Sequence, residues 1–231
     1  MRNTKFVGLI LVVIIFGIIF IPKIISRITN RSIVESNRSQ SSIPLQYVFL
    51  NGEAKKVPEF AFLNQDSIII SNEDFSKKVY IAEFFFTSCP SICPIMNKNM
   101  KLIENRFGKL QDFGIASFSI DPSNDTPSVL KAYAETYDVF SQNWHFLTGE
   151  KDKIYDLANK GFNIFASVNS RVAGGFEHQG YFALIDKNGF IRCRSDQFGN
   201  PIVYYMGVDE EDVEIQEVDL LIEDIEKLLK E

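Results

Sequence analysis

The chain is 231 residues long, 45% apolar, with 21 phenylalanines, three cysteines and a formal net charge of −6. That suits one well-packed domain with an appendage. Three cysteines are too few, and odd in number, for a disulfide scaffold. Charge is uneven: residues 1–45 hold six basic residues and one acidic, whereas Asp209–Glu231 hold eleven acidic and two basic. No basic patch suggests a nucleic-acid partner, and the acidic tail reads as a solvated surface.

Phe6–Ile21 is an uncharged apolar run, and extension past Pro22 and Lys23 to Ile25 gives twenty residues. That is enough to cross a hydrocarbon core of about 30 Å. No small-x-small cleavage site follows, so an uncleaved transmembrane anchor over residues 1–25 is favoured over a signal peptide. Arg2 and Lys5 precede the run while Lys23, Arg27 and Arg31 follow it, a balance that taken alone leaves the domain in the cytoplasm. Residues 26–43, polar and rich in Ser, Asn and Arg, read as a flexible tether. The folded domain is expected over 44–231.

Within it, Tyr47–Leu50, Phe60–Leu63 and Ser67–Ile70 are short strand candidates between turn residues. Val79–Phe86 is a buried central strand, and Asn97–Phe107 reads as a helix. Gly114–Ile120 reads as another buried strand, leading into a helix with Pro127 at its first position and Asp125 or Thr126 as cap. Trp144–Leu147 is strand-like and Glu150–Lys160 helical, whereas Gly161–Glu177 lacks periodicity. His178–Ile185 and Phe190–Arg194 pair across an Asn-Gly turn. Val218, Leu221, Ile222, Ile225, Leu228 and Leu229 mark one face of a terminal amphipathic helix. The pattern predicts an α/β fold, a mixed central sheet flanked by helices.

Cys89 and Cys93 lie between the central strand and its helix. Positions i and i+4 of a helix share a face, roughly 6 Å apart, so both sulfurs can address one spot. First-turn N–H groups and the helix dipole favour thiolate, the form that attacks disulfides and binds metals. A structural disulfide or a pair of inert buried thiols fits the same spacing. A redox pair at the start of the first long helix is the arrangement of a thioredoxin-like domain.

Only two histidines are present. His145, within an apolar strand, reads as structural. His178 leads into a strand; if it faces the cysteines, the set becomes two thiolates and an imidazole, which suits Cu(I), whereas structural zinc wants four ligands. Met96 reads as core, Cys193 as a bystander beside a strand, and Asp121 as either a turn residue or a carboxylate behind the site.

Four segments in order carry a resemblance: Phe84-Phe85-Phe86-Thr87-Ser88-Cys89-Pro90-Ser91-Ile92-Cys93-Pro94, then the stretch from Phe118 to Pro127, then Trp144-His145-Phe146-Leu147-Thr148-Gly149, then Glu177 to Gly189. Over roughly residues 44 to 230 the chain resembles the Sco (SenC) family of membrane-anchored copper proteins with a thioredoxin-like fold. The resemblance implies a copper metallochaperone that helps assemble the binuclear copper site of cytochrome c oxidase. Cys89 and Cys93 match the family's copper-binding and redox cysteines, His178 its third copper ligand, and Asp121 the aspartate of its Asp-Pro motif. Copper, as Cu(I) or Cu(II), is the implied cofactor. The implied partners are the oxidase's copper-bearing subunit or another copper chaperone, and the membrane through the N-terminal helix. It also implies a single-pass inner-membrane protein with its domain in the periplasm, against the charge balance noted above. Ser91 stands where many members carry an acidic residue, and Cys193 lies outside the family pattern. Two rivals need only the cysteines: a thiol-disulfide oxidoreductase that reduces client cysteines, and a peroxidase-like or redox-sensing domain, for which no Thr-x-x-Cys context is present.

Overall fold

The computed structural model describes residues 44–231, apart from 173, 197, 212 and 214, together with Phe16, Phe20 and Ile21. The expected anchor and tether otherwise lie outside the described residues, among which no helix is long and apolar enough to cross a membrane.

The domain opens with β1 (Gln46–Tyr47) and a hairpin of β2 (Phe49–Leu50) and β3 (Glu53–Ala54). A second hairpin pairs β4 (Ala61–Asn64) with β5 (Ile69–Ser71). At the centre, β6 (Val79–Phe85), α1 (Cys93–Phe107), β7 (Phe113–Ser119), α2 (Pro127–Thr136) and β8 (Trp144–Thr148) alternate. Next, α3 (Lys151–Asp156) runs into a π-helical turn, Leu157–Phe162, and β9 (Ala166–Val168) pairs with β10 (Phe176–His178). The chain closes with β11 (Tyr181–Ile185), β12 (Ile191–Ser195), β13 (Pro201–Ile202), β14 (Tyr205–Met206) and α4 (Glu217–Lys230).

The main sheet runs β1-β12-β11-β6-β7-β8-β4-β5. β6, β7 and β8 are parallel, and their neighbours on either side antiparallel, so the sheet is mixed, as the alternation implied. Every residue of β6 and β7 is buried, which accounts for their near-continuous apolar composition. Aromatic rings fill the core: Phe84 stacks on Phe118 at 5.4 Å, and Phe162 meets Phe84 edge-on at 5.6 Å.

Four local expectations are revised. α1 begins at Cys93 itself, because Pro94 sits in the first turn, where no helical N–H is needed. The expected helix Glu150–Lys160 is α only to Asp156 and then widens into the π turn, which ends at Asn163 with φ 58°. Gly161–Glu177 contains the β9–β10 ribbon, and His178 ends β10 rather than opening β11. The acidic tail is only partly solvated. Asp224 is fully buried and accepts bonds from Arg194 Nε (2.7 Å), Arg194 Nη2 (2.8 Å) and the Tyr205 hydroxyl (2.7 Å). Arg192, 4% exposed, pairs with Asp186 at 3.0 Å and with Glu231 at 2.9 Å. Two arginines turned inward from β12 thus recruit acids from α4 and from the chain end, since a buried charge is tolerated only when paired.

Glu83 is among the buried acids that lack such a cation. Glu83, in the middle of β6, takes a bond from Ser117 Oγ (2.7 Å), which in turn accepts from Trp144 Nε1 (2.9 Å). Its second oxygen has no hydrogen-bond partner. Burial pushes this carboxyl up to about 7, against the opposing pull of the Ser117 bond and of His178. A folded value above the ordinary 4.5 means that the native state holds the proton more tightly. Stability is therefore full below about pH 4.5 and falls as pH rises through about 7. Glu83→Gln is expected to be more stable than wild type at pH 8 by up to about 3 kcal/mol, with the gap shrinking toward pH 5. Urea midpoints at the two pH values check this; an equal gap at both would show that Glu83 does not titrate in the core.

Candidate metal centre

The site forms where β6 leaves the sheet at the carboxyl ends of the parallel strands, the usual place for a ligand in such sheets. The loop after β6 has to satisfy its backbone without a sheet partner. Asp125 does this: it accepts the Thr87 N–H at 3.1 Å, the Thr87 hydroxyl, and Ser119 Oγ at 2.5 Å. Asp125 is fully buried. Of the two cap candidates, Asp125 and Thr126, it is Thr126 that holds the N-cap position of α2, without a side-chain cap bond, while Asp125 turns to Thr87. The Ser-Ile-Asp-Pro-Ser-Asn-Asp stretch held the signal, but which acid faces Thr87 depends on the turn. In that turn Asp121 accepts the Asn124 side chain at 2.8 Å, and its carbonyl takes the N–H groups of Asn124 and Asp125.

The turn brings Cys89 to the rim, 8% exposed, while Cys93 opens α1 fully buried. Both are free thiols. The loop of the β9–β10 ribbon lies over this turn. A Cβ on Gly174 would come within 2.8 Å of the Phe86 ring and 3.2 Å of Pro90, so the loop approaches as closely as a bare backbone permits, and with φ 87°. The ribbon delivers His178, whose Nε2 stands 3.4 Å from Cys93 Sγ. Its Nδ1 faces the Gln179 carbonyl at 3.3 Å. A carbonyl only accepts, so the tautomer protonated on Nδ1 is the one that bonds there, and that tautomer leaves the Nε2 lone pair free for a ligand role. Phe86 supports the ring edge-on at 5.9 Å.

Donor atoms of Cys89, Cys93 and His178 lie within 4.8 Å of one another, the one such His/Cys/Asp/Glu group among the described residues. An open pocket lined by Phe86, Ser91, Ile92 and Phe176 gives access to it. Asp121 is not in the group. Met96 is core at 1% exposure, and Cys193 is fully buried in β12. His145 meets Asn64 at 3.3 Å and the Phe75 ring, as a structural histidine.

The two thiols are electrostatically unequal. A hydrogen bond from the Cys93 thiol, with help from His178 and the N–H groups of Ser91 and Cys93, pushes Cys89 down to about 3 despite partial burial. The hydrogen bond of Cys93 to Cys89, together with burial, pushes the Cys93 thiol far above the ordinary value. The arrangement favours the negative charge on Cys89, at the rim, over Cys93 beneath it.

A model of the SCO1/SenC family matches residues 50–210. The chain belongs to that family. It is 36% identical over 138 residues to the SCO1 protein homolog of Bacillus subtilis, covering 58% of this chain and 70% of that protein. BsSco, solved with a disulfide switch as a member of the Sco family of cytochrome c oxidase assembly proteins, is 31% identical, with a TM-score of 0.61 over 75% of this chain and 93% of that one. Bradyrhizobium japonicum ScoI, solved with copper bound, gives a TM-score of 0.56 over 75% of this chain and 99% of that one; at 17% identity it shares the fold. The thioredoxin-like Sco fold is thus the architecture of the described domain.

The thiol asymmetry is directly measurable. Alkylation of Cys89 in the reduced protein is expected to be nearly independent of pH between 5 and 8. In Cys93→Ala the main donor to that thiolate is lost, and the rate should climb with pH toward an ordinary thiol value of about 8.5. Mass-spectrometric rates at a series of pH values test it; identical flat profiles would mean that Cys93 does not hold the Cys89 charge.

Proposed function

We propose that this protein is a copper metallochaperone that holds copper through Cys89, Cys93 and His178 and serves assembly of the binuclear copper site of cytochrome c oxidase. The observation that carries this reading is the convergence of two sulfurs and an imidazole nitrogen, with Cys89 and His178 lining an open pocket and Cys93 beneath them. Thiolates are soft ligands that select Cu(I), for which three donors suffice, whereas a structural zinc site closes with four. Cys89 is the favoured thiolate, and His178 protonated on Nδ1 offers Nε2 as a ligand, so two of the three donors can bind without a proton leaving. Family membership and the copper-bound ScoI fold support the same metal. The cargo's destination is then the copper-bearing oxidase subunit or another copper chaperone, and release begins with His178, the one donor carried on a ribbon outside the main sheet.

A second reading is favoured by the thiol asymmetry. An accessible thiolate above a buried thiol is the arrangement of a dithiol reductant. Cys89 sulfur attacks one sulfur of a client disulfide and displaces the other as thiolate. Cys93 then loses its proton and attacks Cys89, which releases the second client thiolate and leaves a Cys89–Cys93 disulfide. Two electrons pass to the client, and His178 need not be a ligand. One dithiol can serve both roles in turn.

Anaerobic Cu(I) titration of the reduced protein separates these. The expected result is one equivalent bound tightly, weakened at least tenfold in His178→Ala and abolished in the Cys89/Cys93 double Ala variant. Binding no tighter than that of a generic dithiol, unaffected by His178, would leave disulfide exchange as the function.

We further propose that the domain stands in the periplasm, tethered to the inner membrane by Phe6–Ile25. The length of the uncharged run supports this, as does the need of copper delivery for the outer face. Alkaline carbonate washing should leave the full-length chain in the membrane pellet; release into the supernatant would sink the anchor.

A further inference from the structure

The β9–β10 ribbon that carries His178 pairs with no strand of the main sheet among the described residues. Its position relative to the cysteines must therefore come from somewhere else. In the ribbon, Ala166 stands directly opposite His178. Just beyond the ribbon's two ends the ladder continues with Gln179 N–H to the Phe165 carbonyl (3.2 Å) and Asn169 N–H to the Gly175 carbonyl (2.9 Å). In an antiparallel pair successive residues turn their polar groups to alternate sides. Ala166 therefore points its N–H and C=O away from β10, and its pair with His178 is the closer, non-hydrogen-bonded kind.

Both groups are taken up by one side chain. Asn159 Oδ1 accepts the Ala166 N–H at 3.1 Å, and Asn159 Nδ2 donates to the Ala166 carbonyl at 3.0 Å. The same Nδ2 donates to the Tyr155 carbonyl at 3.0 Å, fixing the amide on its own helix. The side-chain amide thus acts as a strand of one residue along the outer edge of β9. Asn159 sits within the π turn Leu157–Phe162, a distortion that recurs at functional sites. Ala166 is 3% exposed, so in the native fold its N–H and C=O rely on this amide rather than on bulk solvent.

We propose that Asn159 is the positioning residue for His178, fastening the ribbon at Ala166 so that the imidazole meets the two sulfurs. This rests on reading Cys89, Cys93 and His178 as one copper site. Asn159 touches neither the metal donors nor a client; it acts through Ala166 and β10. Loss of such an outer partner typically weakens metal binding about 10- to 100-fold.

The test uses the full-length reduced chain in detergent, with Asn159→Ala, the isosteric Asn159→Asp, which keeps the acceptor but loses the donor, and the exposed neighbour Lys160→Ala as control. In the metal-free protein, amide exchange at Gln179 and Asn169 should quicken at least tenfold in Asn159→Ala and less in Asn159→Asp. Cu(I) competition should show affinity about 10- to 100-fold weaker in Asn159→Ala, with the nitrogen contribution to the copper X-ray absorption lost and both sulfurs retained. Asn159→Ala combined with His178→Ala should bind no more weakly than His178→Ala alone, because both act through one ligand. Lys160→Ala should match wild type. The proposal is overturned if ribbon exchange and affinity in Asn159→Ala stay within twofold of wild type, or if its losses add to those of His178→Ala. Should wild type itself bind no copper, the site reading fails, while the exchange measurements still decide whether Asn159 holds the ribbon.

Discussion

The parallel pairing of β6 with β7 is the constraint on which the site depends. Both strands are buried along their whole length, so the chain can leave the sheet only at Phe86, and it must do so with its backbone polar groups satisfied in a dry interior. Asp125, carried by the turn that follows β7, meets that need for Thr87. The loop then has room for only a tight turn before α1 begins, and that turn sets Cys89 at the rim above Cys93. The close placement of the two sulfurs follows from a problem of backbone accommodation at the end of two adjacent parallel strands.

From this placement comes an unequal pair of sulfurs. One thiol donates to the other and is itself covered, so a single negative charge is shared by the site and carried at its open side. Copper capture and disulfide exchange both begin with a thiolate, and the difference between them lies in what approaches the pocket and in whether His178 takes part. His178 belongs to a ribbon fastened separately from the sheet that carries the cysteines.

The opposite side of the domain answers a different demand. β12 turns Arg192 and Arg194 into the interior, where their charges would be costly alone. Acids from α4, from the β11–β12 turn and from the chain end close around them. The excess of negative charge near the C-terminus is thereby partly a structural necessity, which also ties the terminal helix to the edge of the sheet.

Much of this molecule was legible along the chain. The apolar runs of β6 and β7, the Pro127 helix start, the Asn-Gly turn before β12 and the terminal amphipathic helix are local patterns, and local patterns decide local structure. The cysteine pair was legible for the same reason, being four residues apart at a strand-to-helix junction. His178 lies 85 residues from Cys93; the family resemblance paired them, whereas spacing alone left the histidine unassigned. What only the tertiary structure decided is which groups meet: Asp125 rather than Asp121 beneath Thr87, Asp224 against Arg194, the Asn159 amide on the edge of β9, and which of two identical thiols is favoured to hold the charge. Each of these is set by burial and by hydrogen-bond partners brought from elsewhere in the fold, and neither is a property of sequence order.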